Sequence, residues 1–130
     1  MCSLKRLSLF SFRPSSSTPM TYDACDVETT NGAMDKTTGR FTAKIAGLYQ
    51  FHFLGRVYGN ASGHIWMMKG STEIAMFGLN QHDSYYSFSG SVITQLDVGQ
   101  QLYAKAQGGA KFYGSSSRPI IFQGFLLAEL

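Results

Sequence analysis

The alternation in the stretch GLYQFHF constrains this chain most. Tyr49, Phe51 and Phe53 stand at every second position, and successive side chains of a β-strand point to opposite faces. The pattern therefore predicts a strand over residues 48–57 whose aromatic face is buried in a core. Other short alternating segments follow along the chain, separated by clusters of Gly, Asn, Asp and Ser, whereas no stretch has the period of an amphipathic helix. The chain is therefore expected to be all-β.

Turn signals and alternation together predict the remaining strands. Turns are expected at Asn31-Gly32 and over 36–39, and Pro14 and Pro19 are expected to interrupt any ladder near the N-terminus. The predicted strands are Leu7 to Phe12, a hairpin through Lys69, Gly70 and Ser71, then residues 87–96, 100–107, 110–113 and 120–130. About eight to ten short strands in one chain of 130 residues predict a single-domain β-sandwich or jelly roll.

Composition excludes several classes of function. The formal charge of +3 is scattered rather than gathered into a basic stripe, which argues against nucleic acid as a partner. The longest apolar runs are too short for a membrane-spanning helix, and no secretory signal peptide is visible. Cys2 and Cys25 lack a metal-binding spacing; we interpret them as free thiols, with a disulfide between them as the alternative.

Motifs of catalysis and metal binding are missing from the sequence. There is no G-x-S-x-G, P-loop or H-E-x-x-H, and His52, His64 and His82 lie on separate segments. We therefore expect neither an enzyme nor a metal protein.

The spacing of Phe41, Gly47, Tyr49, Phe51 and Phe53 resembles the second half of the signature of the complement C1q globular-head family. The stretches SGSVITQLDVGQQLYAKA and FQGFLLAEL are similar to later segments of the same domain. The resemblance implies a ten-stranded jelly-roll sandwich of tumour-necrosis-factor-like topology, assembled as an extracellular homotrimer. Residues 1–130 would form one such domain, and the sequence has no collagen-like Gly-X-Y stalk.

Three loops are the predicted ligand-binding region. If each strand crosses the sandwich once, the loops over 58–63, 79–86 and 108–109 share one end. They carry aromatic, amide, imidazole and carboxylate groups, which suit sugars because rings stack on sugar faces while polar groups contact hydroxyls. The residues concerned are Tyr58, Asn60, His82, Asp83, Tyr85 and Tyr86. Asn60 also begins a glycosylation sequon, NAS.

Arg118 is expected at the opposite end, where it would contact a carboxylate or phosphate of an acidic glycan. Trp66, Met67 and Met68 are expected in the core. The residues assigned to the core or to a trimer interface are Leu48, Leu54, Tyr49, Phe51, Phe53 and Phe125.

The family resemblance raises the possibility of calcium, held by Asp residues shortly before an SGS segment. Here the residues before Ser89 read YYSF, so no cofactor is expected. The sequence thus favours a trimeric, non-catalytic recognition protein of innate immunity that binds microbial or glycan ligands. The alternative is a signalling or adhesion ligand for a host receptor.

Overall fold

A computed structural model describes residues 2–6, 10–12, 16–28, 34–57, 63–79, 86–115 and 117–130. These residues form thirteen β-strand segments, of which five are only two or three residues long. The strands are β1 (Cys2–Arg6), β2 (Phe10–Phe12), β3 (Thr18–Pro19), β4 (Ala24–Glu28), β5 (Met34–Asp35), β6 (Arg40–Thr42), β7 (Gly47–Val57), β8 (Gly63–Lys69), β9 (Thr72–Leu79), β10 (Tyr86–Leu96), β11 (Gln101–Ala106), β12 (Phe112–Gly114) and β13 (Ile120–Glu129).

The strands form two antiparallel sheets. The first runs β2-β12-β7-β13-β1-β4, with β10 also paired to β7. The second runs β5-β6-β11-β8-β9, with β3 paired to β11. The long strand β7 is central to the first sheet, because β10 pairs with it from Gly47 to Val57 and β13 follows its other edge. The predicted all-β jelly-roll sandwich is confirmed.

The core between the sheets is largely aromatic. Tyr49, Phe51 and Phe53 of β7 are buried, as the alternation predicts. Phe41 of the second sheet lies edge-on to both Tyr49 and Phe51, with ring centroids 5.2 Å apart in each pair. The hydroxyl of Tyr49 donates to the carbonyl of Ile45 at 2.6 Å, and burial raises the pKa of this tyrosine.

The N-terminal strands differ from the sequence prediction. In place of one strand over Leu7 to Phe12, the chain forms β1 and β2 on either side of residues 7–9, which lie outside the described residues. Strand β4 was not predicted, because ACDVE lacks a clear alternation; it forms by pairing with β1. Pro19 belongs to the two-residue strand β3, and this edge position tolerates proline because its nitrogen need not donate to the ladder. The predicted Asn31-Gly32 turn lies outside the described residues.

The predicted turn over 36–39 is present between β5 and β6. The Asp35 carboxylate accepts hydrogen bonds from the Thr37 hydroxyl at 2.7 Å and backbone N–H at 2.9 Å, which lower its pKa. Gly39 ends the turn at φ 73°. A methyl group at Gly39 would overlap the backbone oxygen of Met20, so this position requires glycine for space as well as for conformation.

Replacing Gly39 with Ala is expected to lower the free energy of unfolding by roughly 3 kcal/mol or more, because strain and steric overlap add. Gly70→Ala is the matched control, since Gly70 also has a positive φ, 62°, but nothing lies within 4 Å of the added methyl. That control should lose about 1–2 kcal/mol. Urea denaturation of both variants measures the difference, and equal losses would contradict the steric explanation.

Candidate functional site

The strands that flank the three predicted loops end together. Val57, the last residue of β7, pairs with Tyr86 and with Phe112. Gly63, the first residue of β8, lies against the side chain of Val57 and pairs with Leu79. We call this region the Val57 end of the sandwich. The described strand ends next to the three loops therefore lie at one end of the sandwich, while loop residues 58–62 and 80–85 lie outside the described residues.

Most of the predicted ligand-binding residues lie outside the described part of the chain. These are Tyr58, Asn60, His82, Asp83 and Tyr85. Tyr86 is described: it begins β10 at the Val57 end, and its side chain is 38% exposed.

At the Val57 end, Arg56 connects β10 and the turn before β13 by hydrogen bonds. It projects from the outward face of β7, where it lies opposite Ser87 of β10. Its Nε donates to the Ser87 hydroxyl at 3.1 Å, and its Nη1 donates to the carbonyl oxygen of Arg118 at 3.3 Å. The turn that carries Arg118 is closed by two backbone hydrogen bonds with Ser115, at 3.1 and 3.2 Å. The Ser115 hydroxyl adds a third contact, accepting from the Arg118 N–H at 3.1 Å.

This geometry corrects the predicted position of Arg118. Arg118 lies at the Val57 end and not at the opposite end, because β13 runs antiparallel to β7 and its residue Ile121 pairs with Leu54. The turn before β13 must therefore lie beside Arg56. Arg56 itself was missed as a site residue: the alternation of β7 places it on the outward face, but only the fold shows that the Arg118 turn meets it.

Two guanidinium groups, hydroxyls and an exposed phenol ring thus lie at one end of the sandwich. A guanidinium binds carboxylate, sulfate or phosphate oxygens through paired hydrogen bonds. A tyrosine ring offers a flat apolar surface with a polar hydroxyl. Among the described residues there is no group of three or more His, Cys, Asp and Glu that could hold a metal ion. The arrangement suits an anionic, hydroxyl-rich ligand.

Most of the exposed large hydrophobic side chains lie at the other end of the sandwich. Within the described residues, eight large hydrophobic side chains are exposed. Six of them lie at or near the start of β7: Ile45, Leu48, Ile93, Val98, Leu127 and Leu130. We call this region the Leu48 end. Leu48 is 37% exposed, whereas Leu54 and Phe125 on the same outward face are half-buried.

Trp66 is not in the core, contrary to the sequence prediction. It lies half-buried on the outer face of the second sheet, while Met67 and Met68 are buried. A bulge between Met67 and Met68 breaks the alternation of β8. Trp66 precedes this bulge and faces outward by regular alternation, but the apolar run IWMM contains no polar residue that marks the outward face.

The sandwich is a jelly roll of the complement and tumour-necrosis-factor type. Its structure is similar to the globular domain of zebrafish complement 1qA, with a TM-score of 0.78, 20% identity, and coverage of 99% of this chain and 98% of that one. It is also similar to Eiger TNF from S. frugiperda, with a TM-score of 0.78, 12% identity, and coverage of 100% and 94%. At these identities the likeness concerns the fold.

The sequence comparisons identify the family. The model of the C1q domain matches residues 8–127, and the chain belongs to the C1q domain family. It is 30% identical to human complement C1q and tumor necrosis factor-related protein 9B over 93% of this chain. It is 25% identical to a human complement C1q subcomponent over 75% of this chain. The chain spans 37% and 39% of the lengths of these two relatives.

Family membership bears on catalysis. Members of the C1q domain family are non-enzymatic, in agreement with the expectation from the sequence.

No helix within the described ranges is long and apolar enough to cross a membrane.

Proposed function

We propose that this protein is an extracellular, trimeric, non-catalytic recognition protein that binds anionic glycans or related microbial surface molecules. The observation that carries the proposal is the joint placement of Arg56, Arg118 and Tyr86 at the Val57 end. C1q family membership supports the extracellular location and the role in innate immunity.

The chemistry of the Val57 end supports this class of ligand. Arg118 is exposed, and its turn is held by Arg56, so its guanidinium projects from a supported backbone. Holding the backbone in advance lowers the ordering cost of binding a ligand. An acidic sugar supplies a carboxylate for the guanidinium and hydroxyls for Ser87, while Tyr86 offers an apolar ring at the same end on the other face of β10, opposite Val57.

The exposed apolar side chains on the outward face near the Leu48 end support the proposed trimer. Leu48, Ile93 and Leu127 are all at least 37% exposed on neighbouring strands of the first sheet. An apolar patch shared by several strands is typical of a subunit interface. Three copies that bury this patch would present three Val57 ends, and several binding sites on one assembly increase its avidity.

Ile93→Glu is expected to convert the trimer to monomers. Ile93 is 55% exposed in the protomer, so the carboxylate is tolerated by the fold but unfavourable in a buried interface. Met76→Glu is the matched control, because Met76 is 56% exposed on the second sheet. Light scattering at micromolar concentration should report a trimer for the wild type and the control. A monomeric wild type would refute the trimer.

Arg118→Gln is expected to reduce the affinity for acidic glycans by about tenfold or more, since a charge-assisted hydrogen bond contributes about 1.5–3 kcal/mol. Lys69→Gln removes a cation from the far end of β8 and should leave binding unchanged. A glycan array that includes sialylated and uronate-containing sugars and bacterial lipopolysaccharide provides the measurement. Uniformly blank binding by the trimer would overturn the proposed ligand class.

A host-receptor ligand is the second candidate function. The observation that favours it is the 30% identity to the human C1q and tumor necrosis factor-related protein 9B. The two candidates respond differently to competition. Binding that simple sugars inhibit supports glycan recognition, whereas sugar-insensitive binding to one host receptor supports the second candidate.

A further inference from the structure

A row of side chains crosses the outer face of the second sheet. Trp66 of β8 lies directly opposite Met76 of β9 on one side and Lys105 of β11 on the other. Met76 is 56% exposed, and Trp66 and Lys105 are half-buried. Since neighbouring strands are about 4.8 Å apart, the row spans about 10 Å. This length suits a short chain of linked rings better than a single ion.

Lys105 places a positive charge beside the indole ring. Its Nζ lies 5.2 Å from the centre of the Trp66 ring, within the range of a cation–π contact. Within the described part of the chain, Lys105 has no ion pair with a carboxylate. The ring thus holds the ammonium group in position without neutralising it, and the charge remains available to an anion.

His64 adds a hydrogen-bonding group of fixed orientation. The Oε1 atom of Gln107 lies 3.1 Å from the backbone nitrogen of His64 and 3.0 Å from its Nδ1. A backbone N–H is always a donor, so the amide atom facing it must be the oxygen, and Nδ1 must carry the hydrogen. In the neutral ring Nε2 is then an acceptor. The imidazole lies beside the indole, with ring centroids 6.5 Å apart.

We propose that Trp66, Lys105 and His64 form a second binding site, for an anionic oligosaccharide, on the outer face of the second sheet. A sugar ring packs on the Trp66 and Met76 surface, its acidic group pairs with Lys105, and a hydroxyl donates to Nε2 of His64. The inference rests on the proposed function only for the class of ligand. It does not depend on Arg56 or Arg118.

This site and the proposed trimer contact lie on different sheets. Trp66, Lys105 and Met76 belong to the second sheet, whereas Leu48 and Ile93 lie on the outward face of the first. Burial of the Leu48 end of the first sheet in a trimer therefore leaves the row accessible. Each protomer would carry an anion site at its Val57 end and another on its flank.

The single tryptophan of the chain provides a local probe, because Trp66 reports binding at this row by its fluorescence. Titration of the trimer with an oligogalacturonate should give a saturable change. A neutral malto-oligosaccharide of equal length should give none. Lys105→Gln should weaken the oligogalacturonate titration about tenfold, whereas the control Lys69→Gln, a lysine of the same strand as Trp66, should leave it unchanged.

Two further measurements separate this inference from the proposed function. Arg118→Gln should keep the Trp66 signal even where it abolishes binding at the Val57 end. A carrageenan-derived oligosaccharide, which carries sulfate and no carboxylate, tests the acidic group: binding shows that sulfate as well as carboxylate is accepted, and its absence restricts the site to carboxylates. No fluorescence change with either acidic sugar, or an equal change in Lys105→Gln, would overturn the second site and leave the proposed function standing. Loss of the signal in Arg118→Gln would also overturn it, because the acidic sugar would then belong to the Val57 end.

Discussion

The burial of Phe51 between the two sheets is the interaction on which the rest of the structure depends. Its ring is fully buried, edge-on to Phe41 of the second sheet and 5.9 Å from Phe122 of β13. Gly124 faces it on β13, where a methyl group would collide with the ring. Aromatic pairs of this kind add about 0.5–1.5 kcal/mol each beyond the area they bury. A slip of β7 by one residue would turn this ring outward, so the cluster fixes the register of the whole first sheet.

The fixed register of β7 also places two chemically different surfaces at opposite ends of the strand. Leu48 and Arg56 lie on the same outward face, and at about 3.3 Å per residue they are about 26 Å apart. One end of this face therefore carries the exposed side chains of Leu48 and Ile93, and the other carries the guanidinium of Arg56. An apolar surface is best used where water is excluded, as between subunits, whereas a supported guanidinium is best used where an anion can approach. The same strand thus carries the proposed trimer contact at one end and the proposed ligand-binding region at the other.

The strands and turns that depend on period-two alternation and local turn chemistry were predicted correctly. The strand over 48–57, the hairpin through Gly70 and Ser71, and the turn ending at Gly39 all depend on residues close in sequence. Strand β4 escaped prediction because pairing with β1 compensates for its weak alternation. Trp66 was misassigned because Ile65, Trp66 and Met67 are all apolar, so this run contains no polar residue that marks its outward face.

The sequence by itself determined that β7 buries Tyr49, Phe51 and Phe53, and it identified the family, because these properties follow from spacing along one strand. Only the tertiary structure decided that Arg118 meets Arg56 and that Lys105 lies beside Trp66. The physical reason is that alternation tells which side chains share a face of a strand, whereas the neighbours across strands depend on sheet order and register. Trp66 and Lys105 are 39 positions apart in the chain and become neighbours only because β8 pairs with β11.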